Sequence, residues 1–130
     1  MSKSKNNIIN IFLSDKQLKK QIMSIKTDSL PIESIKNPNT CNVFKLYSLI
    51  GNEAQVKQMK ENYERGGYGY GEAKSQLFEL ILETYSKQRN TYNYLMDNRS
   101  EIDQILKKGS IRAKKIADQV IKRVKSKLGI

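Results

Sequence analysis

The sequence predicts an all-α protein, a small helical bundle preceded by a short loop, and three observations carry that prediction. Apolar residues recur at three- and four-residue intervals through most of the chain, without the strict alternation expected of half-buried strands. Glycine, proline and asparagine gather at a few points that punctuate the periodic stretches. Hydrophobic residues make up 38% and charged residues 28%, which suits a modest core under an extensive charged surface. A chain of 130 residues fits one domain and buries roughly two-thirds of its unfolded surface.

Residues 1–13 are polar and Asn-rich before turning apolar at Ile8, Ile9, Ile11, Phe12 and Leu13, and read as a loop followed by a short extended or irregular segment. Ser14 or Asp15 offers a side-chain oxygen for an orphan backbone N–H, so a first helix starts there. Leu18, Ile22 and Ile25 carry it to about Lys26, and Thr27-Asp28-Ser29 ends it. Pro31, Pro38, Asn37, Asn39 and Asn42 make residues 30–42 a loop. Asn42 is the expected cap of a second helix with the stripe Val43, Leu46, Tyr47 and Ile50, stopped by Gly51-Asn52. A third spans about Glu53–Glu64 on Val56, Met59 and Tyr63.

Arg65-Gly66-Gly67-Tyr68-Gly69-Tyr70-Gly71 reads as a tight turn between helices. A dinucleotide-binding reading fails: no strand precedes the glycines, and the tyrosines would crowd a pyrophosphate. One long helix is expected from Glu72 to Met96, with Tyr85 and Tyr92 on its apolar stripe as core residues. A last helix or helix pair runs from Ser100 to Leu128, with a break expected at Gly109 and a stop at Gly129. Its apolar face of Ile, Ala and Val suits helix packing better than insertion into lipid.

The formal net charge is +11, and it is uneven. Between Lys107 and Lys127 nine basic residues stand against Asp118 alone, a surplus of eight. Such asymmetry points to a polyanion, with nucleic acid ahead of a membrane surface, since no run of about 18 apolar residues exists. The other reading is a solvated helix face in a lysine-rich proteome. Cys41 is the sole cysteine and there is no histidine, which excludes an intrachain disulfide and a zinc site built from His and Cys. No apolar stretch follows the first lysines as a secretory signal would, and a cytoplasmic protein is the expectation.

An ordered set of segments adds a resemblance. Met1-Ser2-Lys3-Ser4 is followed by Asn7, Leu13, Asp15 and Lys26-Thr27-Asp28-Ser29. Then come Asn42, Leu46, Tyr47 and Gly51, the run Gly66-Gly67-Tyr68-Gly69-Tyr70-Gly71-Glu72-Ala73-Lys74, and Gly109-Ser110-Ile111-Arg112-Ala113-Lys114-Lys115-Ile116-Ala117. In order and spacing the whole chain resembles the C-terminal part of the bacterial tryptophanyl-tRNA synthetases, a family of class I aminoacyl-tRNA synthetases. The resemblance begins inside their Lys-Met-Ser-Lys-Ser loop. It implies that residues 1–14 are the remnant of a catalytic-domain loop and that 15–130 form a helical anticodon-binding domain.

The resemblance places Met1, Ser2, Lys3 and Ser4 in a loop that grips ATP, held with Mg²⁺ in the intact enzyme. Lys3 would be the second lysine of the signature. Its ammonium would offset charge developing on pyrophosphate as the tryptophan carboxylate attacks the α-phosphorus. The signature's first lysine and the nucleotide-binding sheet are not in the sequence. The expectation is therefore a piece of a longer homodimeric enzyme, inactive alone and without tight ATP binding of its own.

For the implied partner, tRNA(Trp), the RNA-contact candidates are Tyr68, Tyr70 and Lys74 at the glycine turn, where the tyrosines would have room to protrude and stack on unpaired bases. Lys107, Lys108, Arg112 and Lys115 are candidates for phosphate contact. The alternative to a ligase segment is a free-standing basic helical module that binds nucleic acid.

Overall fold

A computed structural model describes residues 8–130 of the chain. The fold is all-α. Among the described residues six helices follow one another: α1 (Asp15–Met23), α2 (Asn42–Ile50), α3 (Glu53–Arg65), α4 (Tyr70–Thr84), α5 (Ser86–Asp97) and α6 (Arg99–Leu128). There is no strand among the described residues. The chain forms two compact units, one ending at Arg89 and the other running Asn90–Ile130.

In the first unit α4 is the central element, packed by both α1 and α2, while α3 packs on α2. The reason lies in its spacing: Ala73, Leu77, Leu80 and Ile81 form one stripe, and all four are buried. Leu18 and Ile22 of α1, Val43, Phe44 and Tyr47 of α2, and Met59 and Tyr63 of α3 complete the core. Burying a side chain of this size removes enough apolar area to contribute about 1.5–3 kcal/mol, so this cluster dominates the unit's stability.

Helix ends follow local chemistry. Asn52 and Gln55 form a reciprocal capping box at the start of α3, each side chain taking the other's backbone N–H at 2.9 Å. At α4 the Glu72 carboxylate accepts the Gly69 N–H at 3.1 Å. Two expected caps are different. Ser14 occupies the cap position of α1, but its hydroxyl donates to Gln17 Oε1 rather than accepting a backbone N–H. Cys41 stands at the cap of α2 and Asn42 is already inside the helix. The first helix also stops at Met23, three residues before Lys26.

The single helix expected from Glu72 to Met96 is two helices, parted at Tyr85. No glycine or proline marks the break. Tyr85 packs against the core edge, whereas no residue of α5 is buried, so the apolar stripe that holds α4 ends there. The Arg89 guanidinium donates to the Ile11 carbonyl and to the Asp15 carboxylate, which anchors the first turn of α5 on the N-terminal segment. Tyr92, expected in the core, is 39% exposed.

The second unit corrects another expectation. α6 runs unbroken through Gly109. A single helical glycine costs about 1 kcal/mol relative to alanine, too little to stop a helix with strong formers on both sides. No residue of α6 is buried; Ile105, Leu106, Ile116, Val120, Val124 and Leu128 are all exposed. Between α5 and α6 the Asn98 side-chain amide donates to the Tyr94 carbonyl at 2.8 Å, and the Glu101 N–H donates to the Asn98 carbonyl at 3.0 Å. Gly129 stops α6 in the left-handed conformation, φ +73°, as its position in the sequence suggested.

Candidate nucleic-acid interface

The loop before α2 and the glycine turn before α4 are built against each other. Lys36 is buried, with 1% of its surface exposed. Its ammonium donates to the carbonyls of Pro31, Ile32 and Ser34, each at 3.1 Å. Its backbone N–H reaches the Tyr63 carbonyl at 2.8 Å, and Gly67 N–H donates to the Ile32 carbonyl at 2.9 Å. Gly66 sits at φ +79°, and a Cβ there would stand 2.6 Å from the Glu33 carbonyl oxygen. Only glycine combines that conformation with that approach. The cluster of small residues legible in the sequence is thus a clasp between two loops.

This clasp decides where the candidate side chains lie. Tyr68 does not protrude: it is 7% exposed, its ring 5.7 Å from that of Tyr63. Tyr70 is half-buried, its ring edge-on to Tyr63 at 6.1 Å and 5.4 Å from Lys36 Nζ. Burial first, and then the nearby Asp28 carboxylate, raises its pKa above the ordinary tyrosine value. Tyr63 is raised likewise, by burial and then by its hydrogen bond with Cys41, whose Sγ lies 3.3 Å from the hydroxyl. Lys74 donates to the Met23 carbonyl at the end of α1 at 3.1 Å. Turn glycines signalled room, but the apolar faces of the tyrosines gain more by closing on Tyr63.

The other candidates are exposed. Lys107, Lys108, Arg112 and Lys115 all lie on α6, where Lys108, Arg112 and Lys115 fall at i, i+4 and i+7 on one face. An ion pair joins Lys114 to Asp118 at 3.9 Å, and neither side chain is buried. Met1, Ser2, Lys3 and Ser4, the candidate ATP-loop residues, lie outside the described residues.

Two features escaped the sequence reading. One is Lys36, which resembles any surface lysine until the fold surrounds it. The other is an open cleft of about 680 Å³ between the C-terminal end of α3 and the start of α4. Asn62 and Arg65 form one wall, and Glu72, Ser75, Gln76 and Glu79 form the other. The latter four fall at i, i+3, i+4 and i+7, a polar stripe on α4 distinct from its buried one.

The comparisons agree with this architecture. No family model matches the chain. The tryptophan–tRNA ligase of Campylobacter jejuni (strain RM1221) is 42% identical over 130 residues, all of this chain and 41% of that protein. The tryptophan–tRNA ligase of Fusobacterium nucleatum is 41% identical over the same length, 40% of its own. A crystal structure of Campylobacter jejuni tryptophanyl-tRNA synthetase complexed with ADP and tryptophan superposes with a TM-score of 0.94 at 42% identity, over all of this chain and 41% of that one.

Fold and sequence together therefore match the C-terminal helical part of an aminoacyl-tRNA synthetase. The synthetase is the bacterial tryptophanyl enzyme, to whose C-terminal part this chain corresponds. The chain spans about two-fifths of the length of the relatives it matches.

Proposed function

We propose that the chain serves as the tRNA-engaging segment of a tryptophan–tRNA ligase, an enzyme that activates tryptophan with ATP and transfers it to tRNA(Trp). The observation that carries this reading is the end-to-end correspondence, 100% of the chain at 42% identity, with a synthetase crystallised with ADP and tryptophan. The exposed basic helix α6 supports the RNA half of the reading. Lysines and arginines on one surface neutralise phosphates and release counterions, which positions RNA without reading its sequence.

In the whole enzyme Met1–Ser4 would line the ATP loop, with Mg²⁺ on the phosphates. Lys3 would stabilise the charge that develops on pyrophosphate in the transition state. The enzyme would act in the cytoplasm as a homodimer. The 130 residues alone would bind the anticodon arm of tRNA(Trp) and would neither bind ATP tightly nor activate tryptophan.

The test is direct binding of the chain to an anticodon stem-loop carrying the tryptophan anticodon. The expected result is an affinity well above that for an unstructured RNA of the same length, falling steeply as salt rises. Equal binding of the two RNAs would contradict the reading and favour a general basic module.

A further inference from the structure

The cleft between α3 and α4 has a donor–acceptor pattern that suits an unpaired nucleobase better than a phosphate. Two of its six polar side chains, Glu72 and Glu79, are carboxylates, so a phosphate would be repelled. Among the described residues neither carboxylate takes part in an ion pair. Glu72 is held in place by the Gly69 N–H at Oε2, which leaves its other oxygen to accept. On the facing wall the Asn62 carbonyl oxygen already accepts from Gln58 and Arg65, both at 3.3 Å, so its amide nitrogen is the group left to donate. Arg65 and Gln76 add further donors. Tyr68 lines the cleft from its buried side with a hydroxyl that has no hydrogen-bond partner among the described residues.

Carboxylate acceptors on the α4 wall, with donors from Asn62 and Arg65 on the facing wall and from Gln76 beside the carboxylates, match the Watson–Crick edge of cytosine. Its N4 amino group donates, and its N3 and O2 accept. Uracil reverses the first position: its O4 would face a carboxylate, leaving two acceptors opposed. The single tryptophan codon, UGG, dictates an anticodon with two cytosines. We propose that this cleft takes one of those cytosines, unstacked from the anticodon loop, with Glu72 or Glu79 accepting from N4 and Arg65, Gln76 or Asn62 donating to N3 and O2. The proposal rests on the tRNA reading above and assigns recognition to the polar stripe of α4 instead of the glycine-turn tyrosines.

The experiment measures binding of stem-loops with the tryptophan anticodon, and with either cytosine changed to uracil, to the chain, to the double variant Glu72→Gln/Glu79→Gln and to Gln76→Ala. A glutamine at 72 still accepts the Gly69 N–H, so the double variant keeps its helix start; thermal melting checks this. Glu64→Gln, on α3 and outside the cleft, is the control. At one of the two positions, wild type and control should prefer cytosine by about 10- to 100-fold. The double variant should lose most of that preference while binding overall as tightly or more tightly, because negative charge near RNA has been removed. Gln76→Ala should also narrow the preference. A preference unchanged in both variants would overturn the proposal and leave the stripe as a solvated face. Absence of stem-loop binding by wild type would instead defeat the tRNA reading, and the proposal with it.

Discussion

Replacing Lys36 by methionine should destabilise the unit that ends at Arg89 by about 3 kcal/mol. The lysine is buried and its ammonium satisfies three carbonyls of a loop turned in upon it. Methionine fills similar space and removes the cost of burying a charge, which alone would stabilise. Against this stand three lost charge-assisted hydrogen bonds, each worth about 1.5–3 kcal/mol, and a Ser34 carbonyl left without a partner, while the Pro31 and Ile32 carbonyls keep the N–H groups of Ser34 and Gly67. The second effect wins. Chemical denaturation followed by circular dichroism reads the loss. Hydrogen exchange at the Gly67 N–H, which donates to Ile32, should accelerate with it. A change below about 1 kcal/mol would show that water reaches those carbonyls and that the clasp is not held from within.

The triple variant Lys107→Ala/Lys108→Ala/Arg112→Ala should weaken RNA binding by about 10- to 100-fold at moderate salt and reduce the log–log salt slope by roughly two. Loss of helix is not the cause, because alanine is the strongest helix former and α6 buries none of these side chains. The weakening should be nearly equal for the tryptophan anticodon and for altered anticodons, since phosphate contacts position without specifying. Binding titrations at several salt concentrations check this. A variant that loses preference for the tryptophan anticodon more than affinity would show that α6 reads bases.

The fold class was legible because helices that bury a stripe announce it. Leu77, Leu80 and Ile81 repeat at helical spacing, and the same residues are the core. Stops written in one or two residues, Gly51-Asn52 after α2 and Gly129 after α6, were legible for the same reason. What sequence could not give depended on tertiary partners. The break at Tyr85 has no breaker residue; it falls where the buried stripe ends and Arg89 turns to Asp15. Gly109 looked like a break because glycine is costly, yet its cost is smaller than what a long helix gains by continuing. Tyr68 looked free to stack on RNA, but its ring found Tyr63. Lys36 gave no signal, because burial of a lysine is decided by which carbonyls surround it.

The most direct measurement joins the preceding portion of the Campylobacter jejuni tryptophan–tRNA ligase, up to the point where the match begins, to these 130 residues, and assays both steps of the reaction. The chimera should catalyse tryptophan-dependent pyrophosphate exchange and charge tRNA(Trp), while the 130 residues alone should do neither. Lys3→Ala in the chimera should slow exchange by about a hundredfold or more with tryptophan affinity nearly unchanged, as expected of a charge stabilised mainly in the transition state. A folded chimera that binds tryptophan and ATP but fails to charge tRNA(Trp) would contradict the assignment of this chain as the ligase's tRNA-engaging segment.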